Sequence, residues 1–247
     1  MIQYVANHRW SRLRADLADP QLVKVAQFEF DRVRKSWKGL HSEDFVRSLL
    51  VQIAVIGNAR TGYIFDHALR EPGRMTYLLK CSHSASACLH SIARVCGVRF
   101  VGDRLPNAKV TAWCAILQRI NSLGGVDAFQ AEIGEACRIA GISVTDDRST
   151  RDRMLALSLP MLGRKSWSDW LNNCGLTRHL LAIDTRLVNV WRIYLRVNIT
   201  LEDFQKPGTY LAWEDSCNIK LALPLGITLS ELDKRLFMLP TIKAPRP

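Results

Sequence analysis

Apolar residues along this 247-residue chain recur mostly at intervals of three and four, the spacing that gathers them on one side of an α-helix. The segment SEDFVRSLLVQIAVIG, residues 42–57, opens with Ser42 in an N-cap position and Asp44 in the first turn, then runs apolar. In VTAWCAILQRINSLGG, residues 110–125, Val110, Trp113, Leu117 and Ile120 share a face, and paired glycines stop the helix. DAFQAEIGEACRIAG (127–141) and DRSTRDRMLALSLP (147–160) read as further helices, the second halted by Pro160. TRLVNVWRIYLR (185–196) carries a buried stripe of Leu187, Val190, Trp191 and Tyr194. TLSELDKRLFML (228–239) begins with Thr228 three residues before Glu231, the spacing of a capping box. One stretch breaks the pattern. SCNIKLALPL (216–225) alternates and predicts a single short strand, with no second strand to pair with. The expected class is all-α.

Composition narrows the partners. Hydrophobic residues at 48% describe a globular chain, long enough for one large domain or two lobes. Lysine and arginine number 34 against 23 acids, a net charge of +11 that favours a polyanion, nucleic acid first. The most apolar run, SLLVQIAVIGNA, is too short to span a bilayer, and the first twenty residues have no apolar signal core. The expected setting is cytoplasmic, beside the nucleoid, with no membrane partner. Seven scattered cysteines fit reduced thiols better than a disulfide framework.

The chemistry concentrates in LPMLGRKSWSDWLNNCGLTRHLLAIDTRL, residues 159–187. A helix ends at Leu159-Pro160, a turn passes through Gly163, and a second helix starts near Arg164. Such a hairpin suits a phosphate, because a helix's first amides lack intrahelical partners and its dipole adds positive charge there. Leu162, Gly163 and Arg164 are therefore the expected contacts to a DNA backbone, gripping it without reading sequence. Lys165 follows at the same positive end, which disfavours an ammonium. A desolvated lysine there becomes a free amine and a usable nucleophile. Nineteen residues on, after a reversal at Gly175-Leu176 and the run HLLAI, stands Asp184. Taken singly, Lys165 reads as a solvated helix residue and Asp184 as an N-cap. Together they form the pair needed to break a glycosidic bond: an amine to attack the anomeric carbon and a carboxylate to stabilise positive charge.

The residues GRK, WLNNCG and LAID within this stretch resemble the helix-hairpin-helix DNA glycosylases, most closely the archaeal and bacterial second-type 8-oxoguanine DNA glycosylase/AP lyases. The similarity extends to LLVQIAVIGNARTG (49–62), GVRFVGDRLPNAKV (97–110) and LGITLSELDKRLFMLPTIK (225–243), in family order. The resemblance implies a two-lobed, all-α fold with its active-site cleft between the lobes. One lobe would span 40–178 and end in the hairpin; the other would combine 1–39 with 179–247 and carry the aspartate. It further implies a bifunctional glycosylase/AP lyase acting, as a monomer and without a cofactor or metal, on double-stranded DNA holding a damaged or modified base. Lys165 would be the Schiff-base nucleophile and Asp184 the essential carboxylate. Phe100 and Phe237 would stack on the extruded base, with Asn58 and Lys243 at the edge of its pocket. Oxidised purine, 8-oxoguanine above all, is the expected substrate. The alternatives are the same fold excising another modified base, in phage DNA or an alkylated purine, or a non-catalytic hairpin module that binds DNA.

Three departures from the family bear on these expectations. Met161 stands where the hairpin usually has its first glycine, Lys243 is followed by APRP, and the last helix carries Phe237 where tryptophan is commoner. Cys81, His83, Cys88 and His90 lack the spacing of a structural zinc site, and a helix continuing from TYLLK would put both cysteines on one buried face. A C-terminal iron–sulfur cluster needs four close cysteines, and only Cys217 follows Asp184. RWSRLR (9–14) and RSTRDR (148–153) read as solvated basic faces, and Trp167 and Trp170 as core.

Overall fold

The computed structural model describes residues 5–37, 42–56, 59–81, 84–98 and 107–242. In chain order the helices are α1 (Asn7–Leu17), α2 (Pro20–Trp37), α3 (Ser42–Ala54), α4 (Ala59–Leu69), α5 (Arg74–Lys80), α6 (Ala85–Val95) and α7 (Asn107–Ser122). There follow α8 (Val126–Ala136), α9 (Val144–Ala156), α10 (Arg164–Asn173), α11 (Thr185–Leu195), α12 (Pro207–Cys217), the single turn α13 (Leu223–Leu225) and α14 (Leu229–Ile242). A 3-10 turn, Leu201–Gln205, precedes α12, and a π-helical turn, Asn218–Ala222, follows it. No strand occurs among the described residues. The strand expected at 216–225 is therefore a correction. Cys217 and Leu221, four residues apart, are both fully buried while Ile219 is exposed, so the segment sorts its apolar residues on a helical period.

Capping chemistry explains several helix starts. Asp19 Oδ1 accepts from the Gln21 amide at 2.9 Å, and Pro20 follows at a first position where a missing N–H costs nothing. At the start of α14 the Thr228 amide donates to Glu231 Oε2 at 2.8 Å, and the Glu231 amide to Thr228 Oγ1 at 3.3 Å, the capping box expected from spacing. The helix continuing beyond TYLLK is a second correction: α5 ends at Lys80 and α6 begins at Ala85.

The chain divides into two compact units, one of residues 1–38, 140–149 and 171–247, the other of residues 39–139 and 150–170. The first packs α2 against α14 and α1 against α11, around Trp191 and Trp213 stacked at 4.5 Å between ring centroids. The second builds on α3, which packs against α4, α7 and α8. Phe65 stacks on Trp113 at 4.4 Å, and the Trp113 indole donates to the Leu50 carbonyl at 2.9 Å. The basic stretch at 148–153 also differs from its reading as a solvated face. Thr150 and Arg151 are fully buried, and Arg151 Nη1 donates to Ser168 Oγ at 3.0 Å.

One buried cation stands out in the second unit. Lys109 of α7 has no exposed surface, and its Nζ donates to the carbonyls of Ala54 at 2.8 Å and Ile56 at 2.6 Å, where α3 ends. Burial pushes its pKa down to about 8. A neutral amine still has two N–H groups for the two carbonyls, so the bonds survive deprotonation. Between pH 8 and the ordinary lysine range the folded chain binds fewer protons than the unfolded one, and stability from this group rises with pH. The unfolding free energy of the wild type relative to Lys109→Met is expected to grow by about 2 kcal/mol from pH 8 to pH 10, read by urea titration. A constant difference would refute it.

Candidate active site

The hairpin begins where α9 ends, at Ala156. Leu159 and Leu162 are buried, and the Leu162 amide donates to the Leu159 carbonyl at 3.2 Å, which commits both ends of the turn to the fold. The left-handed positions are Ser158, with φ 53°, and Met161, with φ 64°. Gly163, expected to make the tight turn, does not need its glycine conformation. Met161 instead adopts the left-handed backbone that favours glycine, at a cost of about 1 kcal/mol. A Cβ built on Gly163 meets nothing within 4 Å. Nothing in the fold demands glycine there, and an external group can approach the backbone closely. Arg164 turns back to α9, its Nη1 lying 3.0 Å from Asp152 Oδ1. The hydrogen-bond ladder of α10 starts with the Trp167 amide to the Gly163 carbonyl at 2.9 Å, so the amides of residues 164–166 precede it.

Lys165 sits in the first turn of α10. Trp167 and Trp170 fix that helix from its buried side. Trp170 Nε1 donates to Ser48 Oγ at 2.9 Å, and its ring meets Phe45 edge-on at 5.6 Å. The lysine lies on the other side, 37% exposed, with Nζ 3.4 Å from Asp169 Oδ2. Asp169 is 19% exposed and accepts from Gln52 Nε2 of α3 at 3.1 Å. Neither Asp169 nor Gln52 was singled out from sequence, although the Lys165–Asp169 spacing of four is a visible helix-pair signal.

α10 ends at a left-handed Gly175, φ 71°, and the Leu176 amide reaches back to the Leu171 carbonyl at 3.0 Å. This is a Schellman-type stop, at the reversal expected from sequence. The run that follows has no regular secondary structure, and no strand lies beside it among the described residues; side chains satisfy its backbone instead. Asp147 Oδ2 accepts from the amides of Arg178 at 2.9 Å and His179 at 2.8 Å. Asn172 Nδ2 donates to the Leu180 carbonyl at 3.0 Å. Glu214 Oε1 accepts from Leu181 N at 3.1 Å, Asp233 Oδ1 from Ala182 N at 3.1 Å, and the Tyr210 hydroxyl from Ile183 N at 3.1 Å. That same hydroxyl donates to the Leu181 carbonyl. All five side chains are buried.

The run delivers Asp184 to the N-cap of α11. Its Oδ1 accepts from Arg186 N at 2.8 Å and Leu187 N at 3.1 Å, and Oδ2 takes neither bond. Arg186 also crosses to α14, where its guanidinium lies 4.0 Å from the ring centroid of Phe237. Phe237 is 37% exposed, so it is a surface aromatic with a cation on one face. Two groupings thus emerge: Lys165, Asp169 and Gln52 in one unit, and Asp184, Arg186 and Phe237 in the other. Asn58, Phe100 and Lys243 lie outside the described residues. No group of three or more His, Cys, Asp or Glu among the described residues could hold a metal, and His83 of the cysteine–histidine stretch lies outside them.

The architecture is the all-helical fold of 8-oxoguanine DNA glycosylase. The chain superposes on the Methanocaldococcus jannaschii enzyme with a TM-score of 0.64 at 16% identity, over 90% of this chain and 95% of that one. It also superposes on the 8-oxoguanine glycosylase/lyase from the same organism, solved with a 15mer DNA containing 8-oxoguanine. There the TM-score is 0.63 at 16% identity, over 97% and 99% of the two chains. No protein-family profile matches the chain, and no curated protein is similar to it in sequence.

Two substitutions check this local picture by denaturant unfolding. Tyr210→Phe keeps the ring and removes both hydrogen bonds to the run, and is expected to cost about 1–3 kcal/mol. Met161→Gly relieves the left-handed backbone and is expected to stabilise by up to about 1 kcal/mol. A neutral Tyr210→Phe or a destabilising Met161→Gly would contradict the geometry above.

Proposed function

We propose that the chain is a DNA glycosylase with AP lyase activity that extrudes and excises a damaged base, an oxidised purine such as 8-oxoguanine. The observation that carries this reading is Lys165 itself: a half-exposed amine in the first turn of the helix behind the hairpin, in a chain with the fold of a solved 8-oxoguanine glycosylase/lyase. Lys165 attacks C1′ of the extruded nucleotide, and the base departs with the electrons of the glycosidic bond. The Asp184 carboxylate stabilises positive charge on the sugar as that bond lengthens, through the oxygen its cap leaves unused. The amine loses a proton, the C1′–O4′ bond opens with O4′ taking up a proton, and the resulting imine acidifies C2′, so that β-elimination expels the 3′ phosphate and nicks the strand. Extrusion costs a few kcal/mol, least for a poorly paired base, which contributes to selection. The net charge of +11 and the open backbone at Gly163 support a double-stranded DNA partner held by its phosphates, with Leu162 and Arg164 shaping the turn.

Phe237, with Asn58, Phe100 and Lys243, is assigned to the base pocket. The guanidinium on Phe237 supports a second reading, the same chemistry on a different modified base, because a ring face available for stacking already holds Arg186.

Borohydride trapping on an 8-oxoguanine duplex tests the proposal. The wild type is expected to give a covalent protein–DNA adduct that Lys165→Gln abolishes while DNA affinity stays within about threefold. Asp184→Asn retains a good N-cap and should stay folded, with excision slowed on the order of 100-fold or more. Absence of any adduct across a panel of damaged duplexes would overturn the Schiff-base reading, and absence of released base as well would leave a DNA-binding module.

A further inference from the structure

Lys165 is not alone on its side of α10. One helical turn on, the Asp169 carboxylate reaches to 3.4 Å from its Nζ, and Gln52 of α3 holds that same Oδ2 at 3.1 Å. Among the described residues, α9 brings two further charged groups to α10: Asp152, engaged by Arg164 at 3.0 Å, and Arg151, whose Nη1 donates to Ser168. α3 contributes a neutral amide, and a neutral amide fixes a carboxylate without discharging it. Asp169 is the better shielded of the pair, at 19% exposed against 37% for the lysine, so its charge acts through a partly excluded solvent.

Resting on the reading of Lys165 as nucleophile, we propose that Asp169 is the positioning residue that sets the protonation and aim of that amine. The carboxylate stabilises the ammonium and holds it against α10, so the amine becomes free to attack only at higher pH than an isolated lysine at this position. Gln52 keeps the carboxylate in register, so two helices of one unit jointly determine when Lys165 is reactive. The pair is a brake on the nucleophile as well as a guide for it.

The experiment uses a duplex carrying a preformed abasic site, whose open-chain aldehyde reports imine formation whatever base the enzyme excises. The full chain is mixed with it and cyanoborohydride over a pH series, and the initial rate of adduct formation is fitted for its midpoint. Asp169→Asn is expected to move that midpoint down by about half a pH unit or more, and Asp169→Glu, which keeps the charge, to hold it near the wild type. A purely structural aspartate would change the rate at every pH and leave the midpoint where it was; that outcome overturns the inference and leaves the functional reading standing. A wild type that forms no adduct at any pH removes both. Circular dichroism on each variant verifies that the comparison is made between folded proteins.

Discussion

Side-chain hydrogen bonding to the backbone of residues 178–183 is the constraint on which the first unit depends. A β-strand satisfies its amides against a neighbouring strand. Here Asp147, Asn172, Glu214, Asp233 and Tyr210 take that role from separate parts of the chain. Each unmet bond in so buried a place would cost about 1–3 kcal/mol, so the loss of any one of the five is expected to destabilise the segment. The result is an irregular segment pinned by side chains along its length, and Asp184 stands at its end. The cap that α11 requires and the carboxylate that the proposed chemistry requires are two oxygens of one group.

The same bonds hold charge inside the molecule. Asp147, Glu214 and Asp233 are buried carboxylates that accept from backbone amides, and Glu214 Oε2 also lies 3.3 Å from Arg148 Nε. Lys109 and Arg151 are buried as well, so burial withdraws both signs of charge and the basic excess of the sequence remains.

Much of the helical framework was legible because large apolar residues at helical spacing say where a helix must bury itself. Trp113 and Leu117, Val190 and Trp191, and the Thr228–Glu231 box all lie where spacing put them. Residues 216–225 were misread because alternation over so few positions fits a strand as well as a turn of helix, and the π-helical winding at Asn218–Ala222 has no distinctive composition. Arg151 was misread for another reason: a charged residue enters the core only when tertiary partners such as Ser168 accept it, and sequence does not display them. Within the candidate site, Lys165 and Asp184 were visible as a motif. The carboxylates that support the approach to Asp184 were not, since their partners are backbone amides, which every residue has.

Gly163 carries a last consequence. Its neighbourhood is empty, its backbone is one any residue could adopt, and it borders the first turn of α10. A methyl group at this point would touch nothing already inside the molecule. A loss of function on Gly163→Ala would therefore originate in a visitor. The tolerance of this single site to replacement becomes a record of how close, and how often, something else comes to rest against it.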